Sequence, residues 1–239
     1  MRGSDHGLWC IVPAAGSGRR FGGELPKQHV EFAGKTLLNW TLQRLADHPG
    51  IVGIVLVVAA DDPQANVTAA LNGKPLIHAL GGSERADSVL AGLRTLPDAV
   101  AGEDFVLVHD AARPCVRHSD IDALIARGIP AGGGLLAAPV RDTLKRADVN
   151  GHVLETEPRE SRWRALTPQM FRRAELIAAL ESARADGIVV SDEAMAMERI
   201  GFKPLLVEGS DDNIKVTTPA DRAVAEYLLL RESGIENRE

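Results

Sequence analysis

The residues able to do chemistry are concentrated in a few short stretches, and the first of them is the most informative. It runs Val12-Pro13-Ala14-Ala15-Gly16-Ser17-Gly18-Arg19-Arg20 and closes with Pro26-Lys27-Gln28. Small residues leave the backbone bare, so successive N–H groups can approach an anion closely and form a nest for it. Arg19, Arg20 and Lys27 add three cationic side chains to the same loop. Lining a plain turn with like charges has no packing benefit, so backbone donors with fixed positive charge point to a polyphosphate. Two common phosphate loops are excluded. The dinucleotide fingerprint needs a third glycine where Phe21 stands, and the P-loop needs Lys-Ser/Thr where Glu24-Leu25 stand.

Five further stretches and the single residue Arg159 carry polar groups. Gly81-Gly82-Ser83-Glu84-Arg85-Ala86-Asp87-Ser88 reads both as a turn with a helix cap and as backbone able to meet the edge of a base. Val108-His109-Asp110-Ala111-Ala112-Arg113-Pro114 sets a carboxylate, suited to Mg²⁺ or a substrate hydroxyl, before an arginine. Arg141-Asp142-Thr143, Arg159 and Ala165-Leu166-Thr167-Pro168-Gln169 offer hydroxyls and guanidinium groups for a phosphate monoester, or plain surface polarity. Asp212-Asn213-Ile214-Lys215-Val216 puts a lysine in a β-branched run, where it either snorkels or faces a phosphate. No Ser-His-Asp, paired-carboxylate or thiolate arrangement stands out, and no second histidine at metal spacing accompanies His109. A phosphate oxygen is already anionic at neutral pH, so a reaction using it as nucleophile needs charge stabilisation and no general base.

The elements that must position these groups follow from periodicity. Leu8–Val12, Ile51–Ala59 and Phe105–His109 read as buried strands, and Leu76–Leu80, Gly134–Val140, Pro204–Glu208 and Asn213–Thr217 as further strands. Helices are expected over Thr36–Ala46, Asp61–Leu71, Arg85–Leu96, Ser119–Arg127 with Ser119 as N-cap, and Phe171–Arg184. Ser191 is expected to cap a helix closed by Gly201, and Thr218-Pro219 to start the last one. This alternation predicts an α/β fold with a mostly parallel, doubly wound sheet, whose ligands sit beyond the strand carboxyl ends. The loop at Ala14, Gly81-Gly82 and His109-Asp110 all fall there. Residues 141–162 differ: they are charged, poor in large apolar residues, and carry the turn dipeptide Asn150-Gly151. A hairpin with so little to bury should project from the body and pack on a symmetric partner subunit.

At 239 residues the chain suits one α/β domain over residues 8–239, with residues 1–7 a tail outside the fold. Hydrophobic content of 45% and charged content of 25% are those of a soluble globular protein. The net charge of −6 opposes binding to nucleic acid or an anionic membrane, so any anion site must be local. No apolar run approaches the length of a membrane span, and Met1–Gly7 is polar and lacks the apolar segment expected of a signal peptide. Cys10 and Cys115 fit reduced thiols in the cytoplasm.

The opening loop resembles that of sugar-nucleotide and polyol-phosphate nucleotidyltransferases. Taken together, Pro13-Ala-Ala-Gly-x-Gly-Arg-Arg, Pro26-Lys-Gln, Glu84-Arg-Ala-Asp-Ser-Val, Val108-His-Asp-Ala-Ala-Arg-Pro, Ala138-Pro-Val-Arg-Asp-Thr, Ala165-Leu-Thr-Pro-Gln, Ser191-Asp-Glu-Ala and Asp212-Asn-Ile-Lys-Val-Thr resemble the 2-C-methyl-D-erythritol 4-phosphate cytidylyltransferase family in the same order. The resemblance covers nearly the whole chain from Leu8. It implies a single Rossmann-like nucleotidyltransferase domain with a projecting β-arm. It further implies a homodimer formed through the 141–162 arm, and transfer of CMP from CTP, with Mg²⁺ or another divalent cation, to the phosphate of 2-C-methyl-D-erythritol 4-phosphate in non-mevalonate isoprenoid biosynthesis, with release of pyrophosphate. By matching positions, Arg20, Lys27, Arg159 and Lys215 would serve catalysis, Arg159 reaching the partner subunit's site. Ala14, Ala15, Gly16, Gly82 and Ser88 would hold CTP. Asp110, Arg113, Thr143, Thr167 and Ser191 would line the acceptor pocket; metal ligands are not specified. His29, Ser83 and Ser191 depart from the commonest family residues, Ser191 keeping a hydroxyl in place of threonine. A fused cyclodiphosphate-synthase domain is not expected in a chain ending at Glu239. A ribitol-phosphate cytidylyltransferase and a non-catalytic nucleotide-binding regulator are the alternatives.

Overall fold

The structure is a computed structural model that describes residues 7–16, 30–60, 62 and 70–232. Arg19, Arg20 and Lys27 lie outside the described residues, as do residues 1–6 and most of the helix expected at 61–71.

In chain order the strands are β1 (Leu8–Pro13), β2 (Glu31–Phe32), β3 (Lys35–Thr36), β4 (Ile51–Val58), β5 (Ala70–Leu71), β6 (Lys74–Leu80), β7 (Phe105–Val108), β8 (Gly133–Pro139), β9 (Leu144–Ala147), β10 (Val153–Glu157), β11 (Trp163–Arg172) and β12 (Leu205–Glu208). The helices are α1 (Leu37–Asp47), α2 (Arg85–Thr95), α3 (His118–Ala131), α4 (Arg173–Ala185), α5 (Glu193–Arg199) and α6 (Pro219–Glu232). The main sheet has the order β12-β8-β11-β7-β1-β4-β6-β5. Its strands run parallel except β11, which opposes β7 and β8, and the edge strand β5, which opposes β6. The chain leaves β1 toward β4 and β6, then returns to lay β7 on the other side of β1. That reversal makes the carboxyl end of β1 a topological switch point, where open α/β sheets bind ligands.

The side-chain period of two sorts the central strands into two apolar faces. Cys10, Val12, Ile54, Leu56, Val58 and Leu107 pack with Leu38, Leu42 and Leu45 of α1 and Ile121 and Leu124 of α3. Ile11, Val55, Val57, Val106 and Val108 pack with Val89, Leu90 and Leu93 of α2, Leu176 and Leu180 of α4, and Met197 of α5. Cys10 and Cys115 are both buried, and neither is in a disulfide. A third cluster seats α6 on Phe32, Leu37, Ala112 and Val216. Among the described residues no helix is long and apolar enough to cross a membrane.

Several expectations are corrected. Ala70–Leu71 is a strand paired with Lys74–Pro75 across a turn at Asn72-Gly73, both at positive φ. The third helix begins after Arg117 rather than at Ser119. It runs past Pro130 to Gly132, whose left-handed conformation ends it. Phe171 and Arg172 belong to β11, a strand concealed in the sequence by the bulge at Leu166–Pro168 and its proline. Asp192, not Ser191, caps α5, accepting the Met195 N–H at 2.9 Å. Residues 213–217 form no strand. Their backbone bonds run to Ser210, Asp212 and, from Val216, to the Ala112 carbonyl at 2.8 Å. The hairpin is present: β9 and β10 pair with each other and not with the main sheet. Val149, Val153 and Leu154 are exposed on it. Asp148 Oδ1 accepts the Asn150 and His152 N–H groups and sets its turn.

The close seating of α2 on the sheet depends on Gly92. A Cβ there would lie 2.6 Å from Ile11 Cγ2 and 2.9 Å from Val57 Cγ2. Gly92→Ala is therefore expected to destabilise the fold by about 1–3 kcal/mol despite alanine's better helix propensity, as measured by urea unfolding.

Candidate active site

Three loops leave the sheet at neighbouring strand ends. The Ala14 N–H bonds the Val57 carbonyl at 2.7 Å, the Gly81 N–H the Val58 carbonyl at 2.8 Å, and the His109 N–H the Ile11 carbonyl at 2.9 Å. Beyond those last ladder bonds the chain turns outward and encloses an open cleft of about 190 Å³. Ala14, Ala15, Gly16, Gly82, Ser88, Asp110 and Lys215, all anticipated from sequence, line it. Glycine is required where the loops meet: a Cβ on Gly81 would lie 2.4 Å from Ala15 Cβ and 2.7 Å from Ser88 Oγ. Asp87 ties the second loop to the start of α2, its Oδ2 accepting from Ser83 Oγ at 3.1 Å and from the Glu84 N–H at 3.3 Å.

Asp110 is the electrostatic centre. It is 7% exposed, and three cations surround it. Arg85 Nε reaches Oδ1 at 3.1 Å, while Lys215 Nζ at 2.9 Å and Arg113 Nε at 3.5 Å face Oδ2. Burial works against its ionisation, but Arg85, then Lys215 and Arg113, outweigh burial and hold the carboxyl well below the usual carboxylate range. Arg85 also donates to both oxygens of Glu193, at 2.6 and 3.2 Å. Burial disfavours the guanidinium charge, but Glu193 and Asp110 reverse that and push its pKa up. With formal charges, two carboxylates and three cations leave the cluster one unit positive, a local anion site on an acidic protein.

A buried chain of hydrogen bonds sets the direction in which Asp110 points. Thr167 Oγ1 accepts the Asp110 N–H at 3.1 Å and lies 3.0 Å from His109 Nδ1. His109 Nε2 lies 3.0 Å from the Arg113 carbonyl, which can only accept, so the proton sits on Nε2 and the Thr167 hydroxyl donates to Nδ1. The bulge in β11 is what brings Thr167 here. Asn213, fully buried, donates to the Thr167 carbonyl at 2.7 Å and accepts from Arg113 at 2.6 Å through its own carbonyl. Asn213 and the Val216–Ala112 bond seat the irregular segment that presents Lys215.

Not all sequence candidates meet in the cleft. Arg113 and Thr167 stand behind it and act on it through Asp110. Thr143 is exposed at the base of the arm. Arg159 is exposed and donates to the Arg141 carbonyl. Ser191 is exposed, with its hydroxyl 3.6 Å from Met195 Sδ. Sequence reasoning passed over Arg85, Glu193, Gln169 and Asn213 as functional residues. Glu193 looks like an ordinary acid in a first helical turn, and only its burial at 1% exposure marks it out. Among the described residues no group of three or more His, Cys, Asp or Glu side chains is arranged to hold a metal ion.

Comparison with known proteins is consistent across sequence and structure. Residues 8–231 match the family model for 2-C-methyl-D-erythritol 4-phosphate cytidylyltransferase. The chain is 57% identical over 226 residues to the Xanthomonas oryzae pv. oryzae (strain PXO99A) protein of that name, covering 94% of this chain and 83% of that one. It is 56% identical over 235 residues to the Xanthomonas campestris pv. campestris (strain B100) protein, covering 97% and 88%. Its fold is similar to a crystal structure of 4-diphosphocytidyl-2C-methyl-D-erythritol synthase, with TM-score 0.80, 35% identity and coverage of 93% and 99%. The Francisella tularensis cytidylyltransferase structure matches with TM-score 0.80, 33% identity and coverage of 93% and 99%.

His109 generates a pH prediction. Complete burial pushes its pKa down from 6.5 to about 4, against the hydrogen bond to the Arg113 carbonyl and the nearby Asp110, which favour the charged form. The unfolded chain takes up this proton near pH 6.5 and the folded chain only near pH 4. The contribution to stability is therefore complete above about pH 6.5, falls as pH drops through that window, and is flat below about 4, a loss on the order of 3 kcal/mol. Urea unfolding of the wild type should show this slope between pH 6.5 and 4, and His109→Asn should flatten it.

Proposed function

The chain belongs to the 2-C-methyl-D-erythritol 4-phosphate cytidylyltransferase family, and from that premise we propose how its cleft works. The reaction is transfer of CMP from CTP to 2-C-methyl-D-erythritol 4-phosphate, a step of isoprenoid biosynthesis. An oxygen of the acceptor's phosphate forms a bond to the α-phosphorus of CTP, the bond from that phosphorus to the bridging β-oxygen breaks, and pyrophosphate leaves. The nucleophile is already an anion, so no proton has to be removed. The observation that carries this reading is the convergence of a bare-backbone loop, the start of α2, Asp110 and Lys215 in one cleft at the sheet's switch point. The imidazole beside Asp110, that of His109, is wholly buried with both ring nitrogens engaged, which suits a reaction run without a general base.

In this reading, backbone groups of Ala14, Ala15 and Gly16 hold the triphosphate, while Gly82 and Ser88 face the cytosine. Arg20 and Lys27 neutralise charge building up at the α-phosphate, and Lys215 bridges the triphosphate and acceptor halves. Such fixed donors stabilise a phosphoryl-transfer transition state by position and charge. Asp110 meets the acceptor, with Arg113 and Thr167 fixing it; Thr167 contributes through the Asp110 backbone because its hydroxyl proton is committed to His109. The divalent cation is best regarded as part of the substrate, arriving as Mg·CTP. Both Asp110 oxygens face cations, so this carboxylate does not fit a dedicated metal cage, and Mg²⁺ commonly keeps substrate phosphates and water as its ligands. Thr143, Ser191 and Arg159 complete the acceptor site in a dimer assembled through the arm, with Arg159 crossing to the partner subunit. The exposed apolar residues of a hairpin that pairs with no other strand among the described residues support that assembly.

Two measurements test this. Pyrophosphate release from CTP is expected with methylerythritol phosphate and not with ribitol phosphate; equal rates would favour the broader polyol reading. Arg20→Ala and Lys27→Ala are each expected to lower turnover by about two orders of magnitude or more while retaining part of the CTP affinity. Loss of affinity with no change in turnover would favour a nucleotide-binding regulator.

A further inference from the structure

The Arg85 side chain stands in a cleft built for phosphates, yet it is turned away from them. A guanidinium at a phosphate site ordinarily uses its planar fork to bind two anionic oxygens at once. Here both donor edges are taken by carboxylates. Nε and one terminal nitrogen lie 3.1 and 3.0 Å from Asp110 Oδ1, and the terminal pair faces Glu193 at 2.6 and 3.2 Å. Glu193 is in turn held from behind. Gln169 accepts the Ala194 N–H at 2.8 Å and donates to Asp192 at 3.0 Å, so the first turn of α5 cannot rotate without breaking buried bonds. The result is a connected line from Gln169 through Glu193 and Arg85 to Asp110, which lines the cleft.

We propose that Glu193 and Arg85 are positioning residues for the polyol-phosphate half of the reaction: Glu193 anchors Arg85, and Arg85 fixes Oδ1 of Asp110 so that Oδ2 stays with Lys215. The inference rests on the reading of Asp110 as the residue that meets the acceptor. Stability alone is a weak reason for such a line, because a buried ion pair often contributes no more than apolar side chains of the same size. Position is the better reason. Asp110 has two rotatable bonds, and without Arg85 its carboxylate would be free to turn both oxygens toward Lys215 and Arg113. Asp110 would then lose the direction in which it meets the acceptor. Because Glu193 occupies the outer edge of the Arg85 fork, Arg85 also cannot swing out to capture a phosphate of the nucleotide. Removing Glu193 should therefore disturb the acceptor and leave the cytidine contacts at Gly82 and Ser88 in place.

The test is calorimetric titration, which needs no turnover. Methylerythritol phosphate is titrated into the enzyme loaded with a non-hydrolysable CTP analogue, and the analogue is titrated separately. Glu193→Gln is expected to weaken the acceptor about tenfold while changing the analogue's affinity by less than about twofold; in an Asp110→Asn background the same substitution is expected to weaken the acceptor by less than about twofold, since it acts through Asp110. Equal losses in both backgrounds, or losses shared by both ligands, would overturn the pair's role. Wild-type acceptor affinity in Asp110→Asn alone would overturn the reading of Asp110, and the pair with it. Arg85→Lys keeps the charge but cannot span two carboxylates, and should reproduce the acceptor-selective loss should Glu193→Gln fail to fold; unchanged acceptor affinity in Arg85→Lys would overturn the proposal.

Discussion

A carboxylate withdrawn from water at the end of β7 has to be compensated, and much of the site's architecture supplies that compensation. Asp110 cannot remain charged at 7% exposure without partners, because an unpaired buried charge costs several kcal/mol. Its three cations come from three separate parts of the chain: Arg85 from the start of α2, Arg113 from its own loop, and Lys215 from the irregular segment before α6. Each segment is held by bonds that would otherwise look incidental, such as the Val216–Ala112 backbone bond and the Asn213 contacts. Electrostatic necessity at one atom pair thus fixes the relative placement of elements far apart in sequence.

The sheet makes this possible by its connectivity. Because β7 lies on the opposite side of β1 from β4 and β6, three loops open toward one edge at the switch point. The reversed strand β11 then inserts between β7 and β8, and its bulge brings the Thr167 hydroxyl above the Asp110 peptide. A regular strand in that place would direct its side chains to the two faces of the sheet and leave that N–H without a partner. The irregularity in β11 and the bare backbone around Gly81 therefore serve one purpose, which is to let groups converge where regular geometry would keep them apart.

How much of this could be read from residues alone varies with the range of the interaction. The α1 helix and the strands β1, β4 and β7 were legible because each carries its own periodicity or apolar run, and the loops following those strands were legible as small-residue stretches. The strand β11 was not, because Thr167, Pro168 and Gln169 interrupt any strand pattern and the reason for them lies in Asp110 and α5. Residues 213–217 have a strand's composition and no strand beside them. The Arg85–Glu193 pair spans 108 positions, and neither residue carries a local mark of its partner. Asp192 displaced Ser191 as cap because its side chain also answers Gln169, a contact that local propensity does not encode.

The amino-acid order by itself determined the fold class, the edge of the sheet at which the small-residue loops gather, the local concentration of cationic residues and, through its ordered motifs, the family. These rest on side-chain period, backbone freedom and charge type, which are properties of neighbours along the chain. Tertiary structure alone decided which polar groups share a site, that Asp110 rather than His109 sits at its centre, and that Arg85 faces two carboxylates instead of a phosphate. Those outcomes depend on desolvation and on distances between segments, and both exist only once the sheet has closed over its helices.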